Sequence, residues 1–123
     1  MALIPLLAVL TSCGSPGDLA TLNSYAVVPN PPVVDQNMTM WIDYTLSQDV
    51  FGGTAYYTYN LNGVPYTETN DLCTQTQCPI MAGINNESSV STFPLFTGKL
   101  VMTIDWEDAN TNPIWCLKAT FTN

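Results

Sequence analysis

The sequence predicts an all-β domain: a sandwich of two antiparallel sheets. Three observations lead there. Short alternating apolar and polar runs recur along the chain. Clusters of Pro, Gly and Asn separate them. β-branched and aromatic residues dominate the runs, and apolar positions at helical spacing are missing. With 123 residues the chain suits one domain, and an apolar share of 46% is enough for a core. No repeat, low-complexity tract or linker divides it.

The elements follow in order. Residues 1–12 read as an apolar leader resembling a secretory signal, without a basic start and interrupted by Pro5; residues 13–123 read as the folded domain. The run Leu10-Thr11-Ser12-Cys13 also fits a lipoprotein cleavage box, which would consume Cys13. A first strand covers residues 19–28 and stops at Pro29-Asn30-Pro31-Pro32. The second covers 37–46, with Met38, Met40, Ile42, Tyr44 and Leu46 turned inward and Trp41 outward. After Gly52-Gly53, a third covers 54–61 and ends at the hairpin signal Asn62-Gly63. Residues 65–79 read as irregular, and a weak strand spans 87–93. Residues 99–107 give the clearest strand, with Leu100, Met102, Ile104 and Trp106 on one face. Residues 114–122 close the fold, with Trp115, Leu117, Ala119 and Phe121 inward.

Charge excludes several functions. Ten acidic residues face two basic ones, a formal charge of −8. Lys99 and Lys118 alone cannot build a nucleic-acid surface or a polybasic membrane anchor. Without His, triad, thiol–imidazole and His-ligated metal chemistry lose their central residue. Asp105, Glu107 and Asp108 cluster beside a turn and read as solvated turn charges rather than a calcium site or an acid–base pair. The expectation is therefore no enzyme, no metal and no cofactor.

Four cysteines in a short chain point to disulfides in an oxidising compartment. Cys73 and Cys78 enclose four residues, which suits a local staple and leaves Cys13 for Cys116. A reduced zinc site would need paired C-x-x-C knuckles, which are missing. Asn37-Met38-Thr39 and Asn86-Glu87-Ser88 are glycosylation sequons, making Asn37 and Asn86 candidate glycan sites. Aromatic and proline-broken stretches, Gly63-Val64-Pro65-Tyr66 and Phe93-Pro94-Leu95-Phe96, place apolar side chains beside interrupted sheet edges, as at a pocket mouth. Alternation alone does not distinguish a filled core from a ligand-lined one.

Along most of its length from Cys13, the chain resembles the ML family of lipid-recognition domains. The resemblance rests on an ordered set: Cys13-Gly14-Ser15, Pro29-Asn30-Pro31-Pro32 with Gln36-Asn37-Met38-Thr39, Gly63-Val64-Pro65, Asp71-Leu72-Cys73, Cys78-Pro79-Ile80, Gly98-Lys99-Leu100, Asp105-Trp106 and Trp115-Cys116. Within the family it is similar to the luminal Niemann–Pick type C sterol-transfer proteins and the phosphatidylglycerol/phosphatidylinositol transfer proteins. It departs from the sterol carriers in lacking a cysteine pair in the region 29–33. The resemblance implies an immunoglobulin-like β-sandwich with one lipid held between its sheets, the pairings Cys13–Cys116 and Cys73–Cys78, and pocket positions at Val64, Tyr66, Leu95, Phe96, Trp106 and Leu117.

The expected function is non-enzymatic binding and intermembrane transfer of a sterol or phospholipid. The expected setting is a secreted or endolysosomal/vacuolar monomer that touches membranes transiently. The rival reading is a secreted immunoglobulin-like binding or adhesion module with a filled core, anchored by Tyr56 and Trp41.

Overall fold

The computed structural model describes residues 8–122. Its elements are β1 (Val9–Ser12), β2 (Ala20–Val28), β3 (Asn37–Leu46), β4 (Gly53–Leu61), β5 (Val64–Asp71), the one-turn helix α1 (Leu72–Gln75), β6 (Gly83–Thr92), β7 (Lys99–Asp108) and β8 (Pro113–Thr122). All strand pairs are antiparallel, in a five-stranded sheet ordered β1-β8-β7-β4-β5 and a three-stranded sheet ordered β2-β3-β6. This is the expected immunoglobulin-like sandwich.

Alternation decides what goes inside. On β3, Met38, Met40, Ile42, Tyr44 and Leu46 are all buried, while Trp41 and Thr45 are exposed. On β7 and β8, Trp106 pairs with Trp115 and Ile104 with Leu117, and all four are buried. Trp115 lies between two rings, with Trp106 at 4.6 Å and Tyr44 at 6.2 Å between centroids. The two sheets approach most closely where β2 meets β1 and β8. There the disulfide Cys13–Cys116 joins residues 103 apart, and Cys13 N–H donates to the Cys116 carbonyl at 3.0 Å. Cys73–Cys78 closes the short loop after β5. Two disulfides fit an oxidising compartment.

Four segments depart from the sequence expectations. Val9–Ser12, assigned to the leader, form β1 and pair with residues 117–120 of β8. Ala8 is already buried in the core, so the sheet begins before Cys13. The earlier part of the expected leader lies outside the described residues. The stretch expected to be irregular from residue 65 is instead strand β5, followed by α1. That single helical turn is capped by the Asp71 carboxylate, which accepts from Cys73 N–H at 2.9 Å, and it buries Leu72 completely. Finally, β6 begins at Gly83 and pairs along the whole of β3.

Two turns show why local chemistry matters. Asn62 and Gly63 have φ of 53° and 90°, as a two-residue hairpin turn requires. The Asn62 side chain also reaches across to the segment before β7. Its Nδ2 donates to the Thr97 carbonyl at 2.8 Å, and its Oδ1 accepts from Lys99 N–H at 2.9 Å. Asp108 is not a solvated turn charge, as expected from sequence, but a buried one. Its carboxylate accepts from the N–H groups of Asn110 and Asn112, both at 2.9 Å, and from Asn112 Nδ2. Desolvation acts to raise its pKa, but the hydrogen bonds from Asn112 and Asn110 outweigh this and hold it below the usual aspartate value.

Candidate functional site

The sandwich is closed on one side and open on the other. Opposite the β2/β8 contact, β5 is the edge of one sheet and β6 the edge of the other. Between them runs a cleft of about 240 Å³. Its floor is apolar: Met38 and Met40 from β3, Met102 and Ile104 from β7. Its walls carry Tyr57 and Tyr59 from β4. The rim is polar, with Glu68 and Asn70 from β5 and Ser89 and Ser91 from β6.

Register explains this polarity. Cross-strand partners share a face. Glu68 pairs with Tyr57, and Tyr66 with Tyr59, so these β5 residues face the interior. Ser91 pairs with Met38, Ser89 with Met40 and Glu87 with Ile42, so the inner face of β6 is polar too. Two polar inner faces cannot close into a dry core, because their hydroxyls and carboxylates would lose water without gaining partners.

One end of the cleft is tied shut by hydrogen bonds. Glu87 Oε1 accepts from the Tyr44 hydroxyl at 3.0 Å and from Thr76 Oγ1 at 2.8 Å, linking β3, β6 and the end of α1. The Tyr57 hydroxyl donates to Gln75 Oε1 at 3.0 Å. Burial, then the adjacent Glu87 carboxylate, pushes the Tyr44 phenol far above its ordinary pKa. Burial also raises that of Tyr57, with the Trp106 indole opposing in part. Both phenols are therefore neutral hydrogen-bond donors across the physiological range.

None of the six predicted pocket residues lines the cleft. Trp106 and Leu117 sit in the filled part of the core. Phe96 is buried beside Phe93, with ring centroids 5.7 Å apart, and Phe93 packs in turn on Phe121. Val64 and Leu95 are surface residues, 70% and 77% exposed. Tyr66 is exposed but stacks on the cleft wall through Tyr59, with centroids 6.4 Å apart. The methionine floor is visible in the sequence as inward positions, which alternation alone does not assign to a filled core or to a ligand-lined one. The β6 serines carry no sequence signal, since only their pairing with β3 turns them inward.

Other depressions lie away from this open edge. A larger one, about 590 Å³, lies on the outer face of the five-stranded sheet and is lined by Thr58, Asn60, Thr103, Lys99 and Lys118. It gathers both basic residues of the chain and offers little to a hydrocarbon. Among the described residues no group of three or more Cys, Asp or Glu is placed to hold a metal. Asp105 and Glu107 face outward, and Glu107 accepts from the Tyr56 hydroxyl at 2.8 Å.

Comparison with known proteins agrees with this architecture. The sequence profile of the ML domain matches residues 8–122. Two proteins of Dictyostelium discoideum, whose names describe phosphatidylglycerol/phosphatidylinositol transfer, are similar in sequence. One is 31% identical over 89% of this chain and 79% of its own length; the other is 27% identical over 78% and 71%. Among solved structures, a Niemann-Pick type C2 protein from the Japanese carpenter ant superposes with a TM-score of 0.73 at 14% identity, over 94% of this chain and 99% of its own. Chicken MD-1, solved in complex with lipid IVa, superposes with a TM-score of 0.69 at 15% identity, over 94% and 88%. The two structural likenesses concern the fold.

Proposed function

The chain belongs to the ML-domain family, whose members are not enzymes, and on that premise we propose that it binds one lipid and carries it between membranes. The observation that carries this reading is the cleft at the open edge, with its apolar floor and polar rim. An acyl chain laid on Met38, Met40, Met102 and Ile104 leaves water, which contributes about 0.8 kcal/mol per buried methylene. Tyr59, Glu68, Asn70, Ser89 and Ser91 meet the polar part of the lipid at the rim.

At about 240 Å³ the cleft falls just short of common ligand pockets, which hold about 300–1,000 Å³. Loading therefore widens it. Three methionines suit that role, because their unbranched side chains repack at low cost. Widening reaches Trp106, Leu117 and Phe96 behind the floor, and Tyr66 at the mouth. Val64 and Leu95, at the same end of the molecule, make the transient membrane contact. The names of the Dictyostelium relatives favour phosphatidylinositol or phosphatidylglycerol over a sterol. So does the missing cysteine pair near residues 29–33. The carrier works as a monomer in a secreted or endolysosomal/vacuolar lumen.

Organic extraction of protein purified from a eukaryotic secretory host, followed by lipid mass analysis, tests the proposal. One co-purifying phospholipid per chain is expected. A protein that emerges empty and takes up no phospholipid or sterol from vesicles is a surface-binding module instead. With a charge of −8, transfer from anionic vesicles is expected to run faster at about pH 5 than at about pH 7, as protonation of carboxylates relieves repulsion. Equal rates would count against membrane contact limited by charge.

A further inference from the structure

The outer face of the three-stranded sheet carries an unusual residue. Trp41 points away from the core and is 51% exposed, while Trp106 and Trp115 are buried. A tryptophan left in water on the face of a sheet forgoes a large apolar stabilisation unless something covers it.

Pairing places the occupant's attachment point beside it. Trp41 lies directly across from Ser88, and Asp43 across from Asn86. All four face outward, so Asn86 is the diagonal neighbour of Trp41 on the adjoining strand, within reach of a large side chain. Both line one depression of about 390 Å³, together with Ser24, Tyr25, Ala26, Ile42 and Asp43. Asn86-Glu87-Ser88 is a glycosylation sequon, and Asn86 is exposed on an edge strand. The other sequon differs. Asn37 also faces outward, but across from Thr92 at the far end of β3, with no aromatic residue opposite.

We propose that Asn86 carries an N-linked glycan whose first N-acetylglucosamine lies on the indole of Trp41, so that the sugar is a built-in cover for this face. A pyranose ring presents a face of C–H bonds, which suits the electron-rich indole surface. Attachment replaces one bond with another. The Asn86 amide nitrogen forms a C–N bond to C1 of the sugar of a polyprenyl-pyrophosphate-linked oligosaccharide. The C1–O bond to pyrophosphate breaks, and the proton lost from nitrogen leaves with it. The linking amide keeps one N–H. Directly opposite stands Asp43, whose Oδ1 is buried without a hydrogen-bond partner, and this N–H is placed to donate to it.

The test uses the whole chain secreted from eukaryotic cells. Peptide mass mapping is expected to find a glycan on Asn86. Acrylamide quenching then reports on Trp41, since the other two indoles are buried. Quenching is expected to stay low with the full glycan and after endoglycosidase trimming to one N-acetylglucosamine. It is expected to rise when an amidase removes the glycan and leaves a carboxylate at this position, and Asn86→Asp is expected to match that bare state. Asn37→Gln leaves quenching unchanged. Loss of the Asn86 glycan lowers Tm by about 2–4 °C, and by nothing in a Trp41→Ala background. A bare Asn86, or quenching that is the same in all three glycoforms, overturns the proposal. The enzymatic series is run on folded protein, so it decides even if a variant is not secreted.

Discussion

The two long sides of this sandwich are made from the same kind of strand and end differently. At the β2/β8 side, inward residues meet inward residues: Leu46, Ile114, Trp115 and Leu117 are completely or almost completely buried, and a disulfide locks the edge. At the β5/β6 side, apolar positions of β3, β4 and β7 face Glu68, Asn70, Ser89 and Ser91 instead. Strand geometry is not what separates a sealed core from a binding cleft here. The separation comes from the inner faces of two edge strands, and exchanging a handful of hydroxyls and carboxylates for aliphatic groups would shut the cleft.

Four experiments break or sharpen this contrast, beginning with the largest effect. Removing Cys13–Cys116 by paired serine substitution opens a loop of about 100 residues and costs about 4–5 kcal/mol in the chain-entropy account, read as a fall in the urea midpoint. Removing Cys73–Cys78, which spans a separation of 5, costs clearly less. Next, Leu117→Ala in the sealed half costs about 3 kcal/mol, whereas Met102→Ala at the cleft floor costs about 1 kcal/mol. Similar losses at both positions would mean that the two sides are equally packed. Third, Ser89→Trp fills the cleft from β6. It is expected to weaken lipid uptake about tenfold, a change of about 1.4 kcal/mol, with Tm nearly unchanged.

The smallest effect concerns Asp105. Burial, then the carboxylates of Asp18 and Glu107, raises its pKa above the ordinary 3.8. A raised carboxyl penalises the folded state while ionised, and the penalty disappears below the unfolded value. Asp105→Asn is therefore expected to raise Tm slightly near pH 7 and to leave it unchanged below pH 3.8. A stabilisation that persists at low pH would point to packing rather than charge.

How much of this was legible in the sequence depended on burial. The strands β3, β7 and β8 each have one face in the core, so Met38 to Leu46 and Leu100 to Trp106 announce themselves by alternation. β5 was invisible because water lies on both of its sides: Val64, Tyr66, Glu68 and Asn70 face one way, Pro65, Thr67, Thr69 and Asp71 the other, with no contrast between them. β6 is polar on its inner face for the same reason, and its first residues were missed. α1 is too short to show a period, and only its cap at Asp71 marks it. β1 was hidden by the opposite cause, since an apolar run before Cys13 reads as well as a leader as it does as a strand. The cleft lies between β5, which alternation does not mark, and β6, which it marks only weakly over 87–93, so its polar rim is the part of the fold with the least contrast in the sequence.

One amide has a mechanical consequence. Because Asn62 grips both Thr97 and Lys99, the hairpin bearing Val64 and the segment bearing Leu95 are clamped into a single stiff prow. The two exposed greasy residues are thereby carried on joined segments rather than on separate loops. Asn62→Ala would cut both side-chain bonds and leave the Asn62 N–H bond to the Lys99 carbonyl as a looser hinge where the protein now has one keel.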